Sequence, residues 1–178
     1  MKGFSFSGNE RNRLFLNRAG TFEDATLTSG VDFTEDGRGF AVCDLNNDGI
    51  LEMGIVSNQS PRFRIAQFND QKLGGNQATG GSVRIRLIGG NQSATPNMKL
   101  SPRDPVGAIV IAKTDNQTRM FQLSRGEGFS SQNSHFVHVG LGDRSQIDQL
   151  EIRWPSGKIT VEEGILDGSE IEISEPRN

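Results

Sequence analysis

Nine residues, Asp44-Leu45-Asn46-Asn47-Asp48-Gly49-Ile50-Leu51-Glu52, place carboxylates or amides at the first, third, fifth and ninth positions and a glycine at the sixth. A hard cation such as calcium takes six to eight oxygens, and a tight turn with alternating acidic or amide side chains aims several of them at one point. Asp44, Asn46 and Asp48 would supply side-chain oxygens, Ile50 a backbone carbonyl and Glu52 the closing carboxylate. Gly49 permits the sharp turn that a Cβ would resist. An Asn/Asp/Gly-rich turn that binds nothing has a similar composition, but turn chemistry alone does not require the carboxylate at the ninth position.

The loop is not an EF-hand, because that motif needs a glutamate at its twelfth position, where Ile55 stands here. Its flanks, Gly39-Phe40-Ala41-Val42-Cys43 and Met53-Gly54-Ile55-Val56, are apolar runs too short for helices and are predicted to be buried strands. Further back, Asn12 to Asn17 and Thr21 to Thr26 are expected as strands about a turn at Arg18-Ala19-Gly20, and Phe63 to Phe68 as another. This is the material of about one four-stranded propeller blade with a neighbouring strand.

Lys72 to Gly81 is glycine-rich and polar, the composition of a flexible connection. The expected organisation is a blade over 1–72, a linker over 73–82 and a second unit over 83–178. In the last, Val83-Arg84-Ile85-Arg86-Leu87 alternates, so Val83, Ile85 and Leu87 should face a core and Arg84 and Arg86 water. Ala108 to Ala112, Met120 to Leu123, Phe136 to Val139, Ile147 to Trp154, Lys158 to Val161 and Glu170 to Ile173 follow as strands divided by Gly, Asn, Ser and Pro. The fold class is therefore all-β, a propeller-blade-like antiparallel sheet followed by a small β-sandwich.

The chain has 178 residues, 22 glycines, 11 phenylalanines, no tyrosine and a formal charge of -3, which suits a turn-rich β protein and argues against a binder of nucleic acid. Cys43 is the sole cysteine, so no internal disulfide forms; it reads as a small buried hydrophobe. Met1 to Gly8 lacks the apolar run of a secretion signal, and no stretch is long and apolar enough to span a membrane. A cytoplasmic protein and a fragment of a secreted one both fit.

Other residues invite chemistry. Gly126 to Gln132 lacks the flanks of a nucleophile elbow or a dinucleotide loop; its glycines should set positive-φ turns that project Phe129, Ser131 and Gln132 at one end of the sandwich. His135 and His138 stand three apart, which on a strand places them on opposite faces and denies them a shared ion. His138 is expected to hydrogen-bond within the sandwich, with ligand contact as the sharper alternative. Trp154 should continue the buried face of Leu150 and Ile152, and Arg11, Arg13 and Arg38 should be solvated or paired with Asp36 or Glu35.

Several blocks resemble known families. Gly8 to Asn17, Asp36 to Ala41 and the calcium loop resemble an FG-GAP/VCBS repeat, and that resemblance implies a propeller-type blade with a calcium ligand set on Asp44, Asn46, Asp48, Ile50 and Glu52. Glu52 and Asn46 replace commoner aspartates, a change expected to weaken the site. Arg103 to Ala108, Gly126 to Ser134, His138 to Gly142 and Arg153 to Gly157 are similar to the ASPIC/UnbV domain. No nucleophile–base pair, cofactor motif or transition-metal ligand cluster can be assembled from the sequence, so the chain is read as a non-catalytic calcium-binding module for a protein or carbohydrate ligand; the resemblance to UnbV-like proteins implies the alternative, an accessory or catalytic role in an enediyne-like biosynthetic pathway. A lone blade cannot close a propeller, so its open edges should either pair in a homo-oligomer, the favoured expectation, or pack against the second half.

Overall fold

Arg18-Ala19-Gly20 turns the chain as predicted. In the computed structural model, which describes residues 10–67, 81–115 and 117–177, strands β1 (Phe15–Arg18) and β2 (Thr21–Asp24) form an antiparallel hairpin. Ala19 and Gly20 close it at φ of 51° and 91°, the paired left-handed residues whose twist matches a two-residue hairpin. The strands are shorter than the sequence predicts. The Ala25 N–H returns to the Leu14 carbonyl at 2.9 Å, and Thr26 opens a single helical turn, α1 (Thr26–Ser29), which Gly30 ends in the left-handed conformation.

That turn and the loop after it separate the hairpin from the blade sheet. The sheet consists of β3 (Gly37–Cys43), β4 (Glu52–Ser57) and β5 (Phe63–Gln67), antiparallel in that order. Three strands rather than about four therefore make up this sheet among the described residues. Phe40, Ile55 and Arg64 stand in register on one face, where Ile55 is buried. Val56, Phe63 and Ile65 on the other face stay largely exposed.

The expected linker lies outside the described residues except for Gly81 and Ser82, which belong to the next strand, β6 (Gly81–Ile88). There follow β7 (Ile109–Thr114), β8 (Gln117–Gln122), β9 (Val137–Gly142), β10 (Gln146–Arg153), β11 (Ile159–Leu166) and β12 (Glu170–Ser174). They form a four-stranded sheet, β11-β10-β7-β8, and a three-stranded sheet, β12-β6-β9, in which β12 runs parallel to β6. The period-two pattern fills the space between them: Val83, Ile85 and Leu87 meet Val110, Val139, Leu141, Ile147, Leu150, Ile152 and Ile173 in one buried cluster. Trp154 joins this cluster as predicted, 3% exposed, with its indole N–H on Thr160 Oγ1 at 2.8 Å. No helix among the described residues is long and apolar enough to cross a membrane.

One buried charge had no signal in the sequence pattern. Glu175, just past β12, accepts the N–H groups of Gly90 at 2.7 Å and Ser101 at 2.8 Å, and the Ser156 hydroxyl as well. It ties the 89–102 loop and the Trp154-Pro155-Ser156-Gly157 turn to the C-terminal strand. Burial by itself would raise the Glu175 pKa, but the bonds from Ser156, Gly90 and Ser101 together outweigh it and hold the carboxyl below its ordinary value of 4.5. A depressed carboxylate contributes stability above the unfolded-state pKa and loses it as pH falls through the folded one. Glu175→Gln should therefore cost about 1–3 kcal/mol at neutral pH, read as a lower urea midpoint by Trp154 emission. Its deficit relative to wild type should shrink as pH falls below 4.5; an equal deficit at every pH would contradict the assignment.

Candidate metal centre

The hairpin β3–β4 carries the acidic loop at its tip, its last ladder pair being Cys43 and Glu52. Asn47 and Gly49 adopt φ of 61° and 84°, which bends the backbone so that its own N–H groups point inward. Asp48 N–H lies 3.1 Å from both Asp44 Oδ1 and Asn46 Oδ1, Gly49 N–H donates to Asp44 Oδ2 at 3.1 Å, and Ile50 N–H donates to Asp48 Oδ1 at 2.8 Å. Asn46 Nδ2 bonds Asp48 Oδ2 at 2.8 Å. Three side chains thus converge on one turn. Each acceptor oxygen that serves a backbone N–H retains a further lone pair, so the cluster keeps oxygen donors available to a cation.

Glu52 takes a different part. Its side chain is buried; Oε2 accepts the Leu45 N–H at 2.8 Å and Oε1 the Gln67 amide at 3.3 Å. It bolts the start of the loop to the blade. Among the described residues no group of three or more His, Cys, Asp or Glu side chains stands together as a metal cluster. The donors that gather here are two carboxylates and one amide, with Ile50 next in the chain.

What the loop rests on was not legible in the sequence. Arg84 pairs with His138 across β6–β9 and with Glu170 across β6–β12, so the three form a row on the outer face of the three-stranded sheet. The alternation argument put Arg84 on that face correctly but assigned it to water. Instead its guanidinium contacts Glu170 and Asn47 Oδ1 and stands 3.6 Å from Asp44 Oδ2, and its side chain is only 20% exposed. The acidic loop stands over Arg84, while the Glu170 side chain stays half-exposed.

His138, expected to bond within the sandwich, reaches across to the blade. Its ring comes close enough to the Gly49 backbone and to Asp44 to be influenced by both, while Nδ1 is buried without a hydrogen-bond partner. Burial holds the imidazole below its ordinary pKa, Arg84 acts in the same direction, and Asp44 and the Gly49 backbone oppose them. His135 lies apart, with Nδ1 2.7 Å from the Arg125 guanidinium that also holds Asp104.

A second contact joins the halves at the edge of the blade. Val42 N–H donates to Asn133 Oδ1 at 2.9 Å, and Ser134 N–H donates to the Val42 carbonyl at 3.3 Å. Beside it, the 126–132 loop lies on Gly39, where a Cβ would stand 2.8 Å from the Phe129 carbonyl oxygen. That loop owes its shape to Gly126 and Gly128, at φ of 69° and 94°. It closes partly on itself: Ser131 Oγ donates to the Glu127 carbonyl at 2.8 Å and Gln132 Oε1 accepts the Gly126 N–H at 2.9 Å.

The four candidate ligand residues do not share one cavity. Exposed Phe129 and half-buried Ser131 line a depression of about 390 Å³ with Phe40, Met53 and Ile55. His138 lines a cleft of about 500 Å³ between the halves, with Asp44, Asn47, Arg84, Phe121 and Phe136 among its walls. Gln132 folds back onto its own loop. Of the arginines beside the blade, Arg38 pairs with Asp36 at 2.5 Å, Arg11 with Asp32 at 2.6 Å and Arg13 with Asp24 at 3.3 Å.

Gly39→Ala tests the junction. The added methyl group meets backbone, which yields poorly, so the substitution should destabilise the chain by about 1–3 kcal/mol. An unchanged urea midpoint would show that the 126–132 loop does not press on β3.

Comparison with known proteins gives two family matches. Residues 4–55 match the FG-GAP-like repeat and residues 98–178 match the ASPIC and UnbV family. Cartilage acidic protein 1 of Homo sapiens is 34% identical over 119 residues, covering 66% of this chain and 16% of that protein. The same protein of Xenopus tropicalis is 30% identical over 119 residues, with the same coverage. The chain thus spans a small part of the length of the curated relatives it matches. The chain thus carries a match to an FG-GAP-like repeat in its first part and a match to the ASPIC and UnbV family in its last.

Proposed function

We propose that this chain is a non-catalytic, calcium-binding β module that presents a protein- or carbohydrate-binding surface where its two halves meet. The observation that carries the calcium reading is the convergence of Asp44, Asn46 and Asp48 on one turn, held by the N–H groups of Asp48, Gly49 and Ile50. Asp44, Asn46 and Asp48 would hold the ion with their side chains and Ile50 with its carbonyl. Glu52 would join them by exchanging its bond to the Leu45 N–H for the metal. The ion supplies positive charge that neutralises the clustered oxygens; it performs no reaction step.

The binding role draws on the cleft beside the loop. Its volume of about 500 Å³ lies within the range of ligand pockets, and Phe121 and Phe136 offer apolar surface beside the polar side chains of Gln122, Asn133 and His138. Such a mixture suits the face of a sugar ring or a peptide side chain.

Binding to the native state alone stabilises it by RT ln(1 + [L]/Kd), about 2.7 kcal/mol at a hundredfold excess over Kd. The melting temperature should therefore rise with calcium and fall back with chelator, and Asp48→Ala should abolish the response. Identical melting of the wild type in both conditions would contradict calcium binding.

A further inference from the structure

Arg84 belongs to the sandwich, yet its charge acts on the blade. We propose that Arg84 is the affinity-setting residue of the calcium loop: a cation supplied across the junction that stands against Asp44 and competes with the metal for that carboxylate. The inference rests on the calcium reading given above.

The geometry is specific. The Asp44 side chain is 3% exposed and Arg84 is 20% exposed, so water screens their approach at 3.6 Å only in part. Asp44 is the first residue of the loop, and its two oxygens already accept the N–H groups of Asp48 and Gly49. The guanidinium is fixed in place from three sides. Glu170 holds it from β12, Asn47 Oδ1 receives it within the loop itself, and the Phe136 ring lies beneath it with its centroid 5.6 Å away. It is therefore not a mobile surface charge that can swing clear when a second cation arrives.

Two consequences follow. Calcium entering the loop meets a positive charge that it must share Asp44 with or displace, so docking of the sandwich lowers calcium affinity. By reciprocity of binding free energies, calcium weakens the hold of Arg84 on the loop to the same degree. The loop is thereby set to bind more weakly than its donors alone would allow, and its occupancy is communicated to the Glu170–Arg84–His138 row on the sandwich.

Calorimetric titration of the full chain with calcium chloride tests this. Removing a fixed positive charge that stands 3.6 Å from a ligand carboxylate should let Arg84→Gln bind calcium roughly three- to tenfold more tightly than wild type at low salt. Arg84→Lys, which keeps the charge, should stay near wild type, and added potassium chloride should narrow the gap. Equal or weaker calcium binding by a folded Arg84→Gln overturns the proposal while leaving the calcium site standing. Absence of binding by wild type and variants alike overturns the calcium reading together with it. If Arg84→Gln fails to fold, the wild type still decides: the Arg84 Nε–H resonance must shift as calcium is added. A resonance that stays put while the loop amides move overturns the proposal.

Discussion

An open edge strand is the constraint on which the arrangement of this chain depends. A sheet of three strands leaves the outer N–H and C=O groups of its first strand without partners, and such an edge invites pairing with another chain. Here the outward-facing groups of Val42 are taken up at both ends, the N–H by the Asn133 side chain and the carbonyl by the Ser134 N–H. This pair of bonds brings the base of the acidic loop onto the sandwich. Beyond Val42, Asp44, Asn47, Asp48 and Gly49 then lie beside Gly81, Ser82 and Arg84 of β6.

The electrostatics of that contact are those of a closed account rather than an exposed patch. Glu170 and Asp44 flank Arg84, and burial together with the same arginine holds the His138 imidazole below its ordinary pKa. The His138 ring stands beside the Gly49 backbone, at the residue whose left-handed conformation makes the turn. The sandwich thus meets the loop at its backbone turn and faces its first carboxylate with a charge.

Much of this was legible in the sequence because it depends on local periodicity. Alternation placed Val83, Ile85, Leu87, Leu150, Ile152 and Trp154 inside the sandwich, and the spacing of Asp44, Asn46, Asp48 and Gly49 described the turn they form. The misses depend on long-range partners. Period two assigns Arg84 and His138 to the outer face but cannot say that another unit covers that face. Glu175 lies in a polar C-terminal stretch, and its partners Gly90 and Ser101 are 85 and 74 residues away. The blade shows three strands because the one-turn helix at Thr26–Ser29, too short for any periodic signal, leads the hairpin away from the sheet.

The central claim is that the blade is closed by the sandwich at Val42, and amide hydrogen exchange at that residue tests it most directly. An outward-facing N–H on an uncovered edge strand exchanges at close to the rate of an unfolded chain, whereas a bonded and covered one exchanges only on opening. The account predicts strong protection of the Val42 amide in the wild type, lost in Asn133→Ala while the amides of β10 in the sandwich core keep theirs. Rapid exchange of Val42 in the wild type, or protection unchanged by Asn133→Ala, would contradict it.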